Sequence, residues 1–245
     1  MKLLSAPAAL LAGLVTIALI ATGCQSSRQA TTSFSDQTGS AFPLMKESQA
    51  AMTPQQAATE LKNGNARFVA AHPRRRDPLA DVKKTASGQY PYAVVLSCLD
   101  SRLPIELVLD QGIGDIFSAR VAGNVMDNDV LGSMEFGCKA AGAKLIAVIG
   151  HSNCGAVKGA VDNVDLGNLT ALLARIKPAI DATLGEDRTS RNLEFVDKVA
   201  ESNVRLVMRQ VRERSPVLLD MLDRGQIALV GGVYDLSTGK IRWLD

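Results

Sequence analysis

Three short runs of the chain are apolar at almost every position: Tyr92 to Ser97, Ile116 to Val121 and Leu145 to Ile149. A strand with one solvated face alternates polar and apolar side chains. Unbroken runs therefore predict strands covered on both faces, as in a parallel sheet between helices. The segments between them have helical spacing. Pro104–Asp110 is one, and Asn128–Ala141 is another, with Leu131, Met134, Cys138 and Ala141 on one face. Longer helices are expected at Leu169–Leu184 and Arg191–Glu213, then a shorter one from Pro216 to Arg224 that Gly225 ends. Ile227–Tyr234, the turn Ser237-Thr238-Gly239-Lys240 and Ile241–Leu244 predict a last strand and its hairpin partner. The fold class read from this order is α/β: a mostly parallel sheet flanked by helices, with a C-terminal β-hairpin.

The front of the chain has a different character. Thr53-Pro54-Gln55-Gln56 supplies an N-cap, a proline in the first helical turn and a capping-box partner, so a helix running toward Ala71 opens the folded domain, residues 53–245. Residues 24–52 are rich in Ser, Thr, Gln and Ala without hydrophobic periodicity. They read as a flexible tether, spanning about 30 Å as a random coil. Before it, Lys2, the apolar stretch Leu3 to Ile20 and Ala21-Thr22-Gly23-Cys24 form a secretory signal, residues 1–23. Small residues immediately before a cysteine resemble a bacterial lipobox, with Ala21 where Leu is commoner. That resemblance implies lipidation of Cys24, a membrane anchor, and residence on the periplasmic side, with Gln25 favouring the outer membrane over the inner. An uncleaved anchor is the alternative; both readings export the rest of the chain.

Composition narrows the partners. The 245 residues are 47% hydrophobic and 21% charged, enough for one sizeable core and unlike a disordered chain. The 27 Lys and Arg against 25 Asp and Glu leave a net +2, which excludes a dedicated nucleic-acid binder. Arg74-Arg75-Arg76, without interleaved aromatics, reads as a solvated run, and His72 as a loop residue. Ala156-Val157 stands where a phosphate-binding loop needs Lys and Ser or Thr. Four cysteines and two histidines allow one metal site and no extended array.

Ligands of an open α/β sheet collect at the carboxyl ends of its strands. The first run ends in Cys98 and the third in His151, two strands expected to be neighbours, about 4.8 Å apart. Cys154 follows at the start of the next helix, where the helix dipole favours a thiolate. Two thiolates and an imidazole suit Zn2+, and three protein ligands leave a fourth position open, as catalytic zinc requires. Cys138, on a helical face, and His72 do not offer a fourth ligand; Asp100 does. Alone, Asp100 and Arg102 would be read as a surface ion pair. Beside such a site, the arginine fork holds the carboxylate ionised, free to accept a hydrogen bond from a nucleophile at the open position.

Cys98-x-Asp100-x-Arg102 and His151-x-x-Cys154, set 53 positions apart, resemble the β-class carbonic anhydrases. The similarity runs from about Thr53 to the end. It includes Glu106, Asp110-Gln111-Gly112, Gly114-Asp115, Arg120, Ala122-Gly123-Asn124, Tyr234-Asp235 and Thr238-Gly239. The resemblance implies reversible hydration of carbon dioxide to bicarbonate and a proton. It places one Zn2+ per subunit on Cys98, His151 and Cys154, and the catalytic dyad on Asp100 and Arg102. The substrate pocket falls on Gln89, Phe117, Ala122, Phe136 and Gly155, some of it from a neighbouring subunit, in a homodimer or a dimer of dimers. Ala122 and Phe136 stand where some relatives carry Val and Tyr, implying a roomier pocket that lacks one hydroxyl. Val95 stands where relatives with an inhibitory bicarbonate pocket carry Trp, so no such inhibition is expected, although Arg120 is matched. Two alternatives remain open: hydrolysis of carbonyl sulfide or carbon disulfide on the same scaffold, and a non-catalytic zinc-holding lipoprotein.

Overall fold

The apolar runs become adjacent strands. The computed structural model describes residues 42 and 44–244. In it Ala93–Ser97 (β1), Ile116–Arg120 (β2), Leu145–His151 (β3) and Ala228–Tyr234 (β4) lie parallel, and Ile241–Leu244 (β5) returns antiparallel, in the order β2-β1-β3-β4-β5. Every residue of β1 and β3 is buried, as continuous apolar runs require. Burial of β2 on both faces, expected from its run, is not seen in the single chain. It is the sheet edge, with Ser118 and Arg120 exposed.

Helices cover the sheet: Lys46–Ala51 (α1), Pro54–Val69 (α2), Pro78–Thr85 (α3), Ile105–Val108 (α4), Asn128–Glu135 (α5), Gly155–Val161 (α6), Gly167–Ala174 (α7), Lys177–Ala182 (α8), Leu193–Arg214 (α9) and Pro216–Asp223 (α10). Alternate side chains of each strand divide the core. Ala93, Val95, Ala147 and Ile149 pack with Leu61, Val157, Phe195 and Val199, while Val94, Leu96, Ile146 and Val148 pack with Met134, Cys138, Val207 and Leu218. The α2 cap is as expected: Thr53 Oγ1 accepts from Gln56 N at 3.2 Å, and Gln56 Oε1 from Thr53 N at 2.8 Å.

Several expectations are corrected. The helix expected over Leu169–Leu184 is two, α7 and α8, because Pro178 has no N–H for the carbonyl of Ala174. Pro104–Asp110 forms only the single turn α4. The segment Asn128–Ala141 changes from α to a π-helical turn at Phe136–Ala140. The tether does not run to Met52. Leu44 is buried, the Phe42 ring meets Tyr92 edge-on, and the buried Gln49 donates from Nε2 to the carbonyls of Pro91 at 2.7 Å and Ala141 at 2.9 Å. Those carbonyls lie at the amino ends of β1 and β3, where the chain enters the fold.

The arginine run is a buttress rather than a solvated face. Arg74 forks onto Glu60 at 2.8 and 3.0 Å and stacks on Phe42, while Arg76 binds Asp115 Oδ2 at 2.9 Å and the Asp110 carbonyl at 2.7 Å. Asp110 also receives Arg67. Only Arg75 of the three is exposed. Cys24, the signal segment and the amino-terminal part of the tether lie outside the described residues. Among the described residues, no helix is long and apolar enough to cross a membrane.

Candidate metal centre

Register brings the chemistry together. Ser97, the last residue of β1, pairs with Ile149 of β3 on one side and Arg120 of β2 on the other. Cys98 therefore leaves the sheet beside His151, the last residue of β3, and Cys154 caps α6. The ligand atoms of Cys98, His151 and Cys154 lie within 4.8 Å of one another, and all three residues are buried.

His151 is fixed in one tautomer. Its Nδ1 lies 2.9 Å from the Ser152 carbonyl, which can only accept, so Nδ1 carries the proton and Nε2 presents a bare lone pair. Nε2 is fully buried without a hydrogen-bond partner. A buried lone pair facing two thiols is costly unless a cation takes it. The donor set, two sulfurs and one imidazole nitrogen, fits zinc with one position left open.

The two thiols behave as a unit. A hydrogen bond from Cys154 does most to lower the Cys98 pKa, against burial, and the N–H groups of Asp100 and Gly123 add to it, that of Gly123 at 3.3 Å. Cys154 moves the opposite way. Its bond to the Cys98 sulfur and its burial push it up and outweigh the N–H groups of Val157 and Ala156 at the start of α6. Both influences act on Cys154: the N–H groups at the start of α6 lower the thiol, as the helix dipole should, while the proton it shares with Cys98 and its burial raise it. A dication held by both sulfurs would take the place of the shared proton.

Asp100 stands next to this group, with Oδ2 3.8 Å from His151 Nε2. The side-chain bonds from Arg102 hold its carboxyl well below the usual carboxylate range, and the Arg102 backbone N–H assists. Arg120, which matches the arginine of the inhibitory bicarbonate pocket in some relatives, reaches across from the sheet edge. Its Nη2 donates to the Asp100 carbonyl at 2.7 Å and its Nε to the Cys98 carbonyl at 3.3 Å, tying down the loop that carries both side chains.

Comparison with known proteins decides the family. The family model described as carbonic anhydrase matches residues 93–241. The carbonic anhydrase of Mycolicibacterium smegmatis is 38% identical over 196 residues, covering 77% of this chain and 92% of that protein. Carbonic anhydrase 2 of Mycobacterium tuberculosis is 37% identical over 194 residues, 76% and 91% of the two chains. Among solved structures, the β-carbonic anhydrase CafA of Aspergillus fumigatus superposes with a TM-score of 0.60 at 27% identity, covering 78% of this chain and 90% of its own. One of two tetrameric β-carbonic anhydrases from Sordaria macrospora also gives 0.60, at 25% identity, covering 76% and 94%. The chain belongs to the β-class carbonic anhydrases.

The remaining residues expected in this carbonic anhydrase's pocket divide into two groups. Ala122 opens the 3-10 turn after β2, whose Gly123 contacts Cys98, and Gly155 begins α6 beside Cys154, where an added Cβ would meet nothing within 4 Å. Both sit at the metal group. Gln89 does not; it is exposed in a shallow depression with Thr85, Ile113 and Gly114. Phe117 and Phe136 meet edge-on at 6.1 Å, but Phe117 pairs with Val94, three residues or roughly 10 Å down the strand from Arg120. Gln89 precedes β1, and Phe117 packs in the core layer of Val94 and Leu96 rather than that of Cys98 and Cys154.

Proposed function

We propose that this carbonic anhydrase hydrates CO2 reversibly at the Cys98–His151–Cys154 group, with Asp100 and Arg102 as its catalytic dyad and a second subunit completing its substrate pocket. The observation that carries the reading is a bare, buried His151 Nε2 with two thiols around it and an arginine-held carboxylate 3.8 Å away. Zinc, when bound there, supplies a Lewis acid that makes water ionise near neutral pH. The protein supplies the rest. Asp100, kept ionised by Arg102, can only accept hydrogen bonds, so it would accept one from the attacking oxygen and leave that oxygen's lone pair facing the substrate carbon. Arg102 holds the carboxylate still, and Arg120 ties down the backbone carbonyl of the same residue.

Carbon dioxide has no net dipole and accepts hydrogen bonds weakly, so its pocket needs apolar walls and one donor. Ala122, Phe117, Phe136 and Gln89 meet that description across two chains. Phe136, 57% exposed, and the exposed Leu107 and Ile113 are apolar side chains of the kind a two-fold partner covers. A homodimer, or a dimer of dimers, lets one subunit's edge reach the other's metal group. The Sordaria relatives are described as tetrameric. Val95 is fully buried in β1 and Arg120 is engaged with the Cys98 and Asp100 carbonyls, which supports the absence of an inhibitory bicarbonate pocket.

The amino-terminal signal and Cys24 support an exported, lipid-anchored enzyme on the periplasmic side, with the outer membrane favoured. The chain enters the fold at the amino ends of β1 and β3, and the metal group lies at their carboxyl ends. Incorporation of labelled palmitate that Cys24→Ala abolishes is the expected result; equal labelling of the variant would exclude Cys24 as the anchor. For the activity, Asp100→Asn in the full chain discriminates: the enzyme should keep zinc and lose most hydration, whereas a protein that only stores zinc has no hydration to lose.

A further inference from the structure

One peptide group, between Ser152 and Asn153, is gripped from both edges. Its carbonyl oxygen receives the Nδ1 proton of His151 at 2.9 Å, and its N–H donates to Oδ1 of Asp197 at 2.6 Å. In a trans peptide the C=O and N–H point in opposite directions, so the two bonds form one continuous line from carboxylate through peptide to imidazole. We propose that Asp197 is a positioning residue of the metal centre, acting through the Ser152–Asn153 peptide to hold His151 with Nε2 turned toward Cys98 and Cys154. The proposal rests on those three residues holding zinc.

Several observations converge on it. Asn153 lies at φ +54, in the left-handed region that non-glycine residues rarely occupy, and it sits between two metal ligands. Something must hold that peptide in place. The rest of the loop is already pinned, with Ser152 N donating to the Tyr234 carbonyl at 2.9 Å and Ser152 Oγ accepting from Leu236 N at 3.0 Å. Asp197 supplies the remaining restraint from α9, whose Phe195, Val196, Val199 and Ala200 are buried on either side of it, so the carboxylate stands on a rigid element. The chemistry follows the same line. A carboxylate that draws on the N–H makes the peptide carbonyl a stronger acceptor, which strengthens its hold on Nδ1 and so on the orientation of the ring. Metal-bound histidines are ordinarily oriented by a carboxylate or a backbone carbonyl on the second nitrogen. Here the two are linked in series.

The test uses Asp197→Ala, which removes the acceptor, and Asp197→Asn, which keeps an acceptor oxygen without the charge. Three measurements are made on the full chain: zinc affinity by chelator competition, the visible spectrum of the cobalt(II)-substituted protein, and the thermal midpoint of the metal-free protein. Asp197→Ala should weaken zinc by about 10- to 100-fold and shift the cobalt bands. Asp197→Asn should restore the wild-type band positions with affinity reduced severalfold, since a neutral acceptor is roughly half as strong. A merely structural role moves the metal-free thermal midpoint and leaves the cobalt spectrum alone. Zinc affinity within about twofold of wild type, with unchanged bands, in Asp197→Ala overturns the proposal. Should that variant not fold, unchanged zinc affinity in Asp197→Asn overturns it equally. If the wild-type chain itself takes up no equivalent of zinc or cobalt, the metal centre fails and this proposal with it.

Discussion

Arg102 grips both oxygens of Asp100, with Nε on Oδ1 at 2.9 Å and Nη2 on Oδ2 at 2.7 Å. The fork fixes the plane of the carboxylate and leaves Oδ2 3.8 Å from His151 Nε2, beside the group that would hold the metal. Arg102→Lys keeps the charge and loses the fork. Turnover should fall at least about tenfold with lysine and about 100-fold or more with alanine, the range for a positioning hydrogen-bond acceptor that is no longer held. Arg102 touches no metal donor, so metal analysis should still find one zinc per chain. Loss of zinc in step with activity would assign the pair to metal retention instead.

If the pocket is shared between subunits, two inactive variants should complement each other. Gln89→Ala spoils the site that borrows from its chain, and Asp100→Asn spoils the site on its own chain. Dissociated and reassembled in equal amounts, half the dimers are mixed and each carries one intact site, so about one quarter of wild-type activity should return. No recovery, with dimers shown to have exchanged, would place Gln89 outside the partner's site.

The Arg76–Asp115 pair should show itself in the pH dependence of stability. Asp115 is fully buried, and burial raises its pKa while the N–H of Gly112 and Arg76 lower it. Without Arg76 the carboxyl rises further. Below the ordinary carboxylate range it is protonated in both folded and unfolded chains, and Arg76→Ala should cost least there. As pH climbs through the raised folded value, the fold must hold an unpaired carboxylate, and the deficit should grow to about 3 kcal/mol at neutral pH. Denaturant titrations at acid and neutral pH measure it; a deficit that shrinks as pH rises would contradict the pairing.

The folded domain should need residues before Thr53. A chain beginning at Thr53 lacks Leu44, the Gln49 bonds to Pro91 and Ala141, and the ring contact of Phe42 with Tyr92. Compared with one beginning at Ser40, it should be less stable by at least about 2 kcal/mol. Equal stability would show these contacts to be incidental.

The sheet and metal group were legible because their signals are local. Unbroken apolar runs locate β1 and β3, and the residues just past them, Cys98 and His151, meet because parallel neighbours end together. What was not legible depends on contacts across the chain. The composition of residues 24–52 suggests a tether throughout, yet a single amide, Gln49, ties α1 to two distant carbonyls. Arg74 and Arg76 look solvated until Glu60 and Asp115 are brought opposite them. The edge position of β2 depends on strand order, which a run of apolar residues does not encode. Asp197 carries no motif at all; only the packing of α9 brings it to Asn153.

The most direct measurement is stopped-flow CO2 hydration by the zinc-loaded full chain, set against the same protein stripped of metal and then reconstituted. Hydration well above the buffer rate should appear with zinc, vanish on its removal and return when one equivalent per chain is restored. A folded chain that binds one zinc per subunit on Cys98, His151 and Cys154 yet hydrates CO2 no faster than buffer would contradict it.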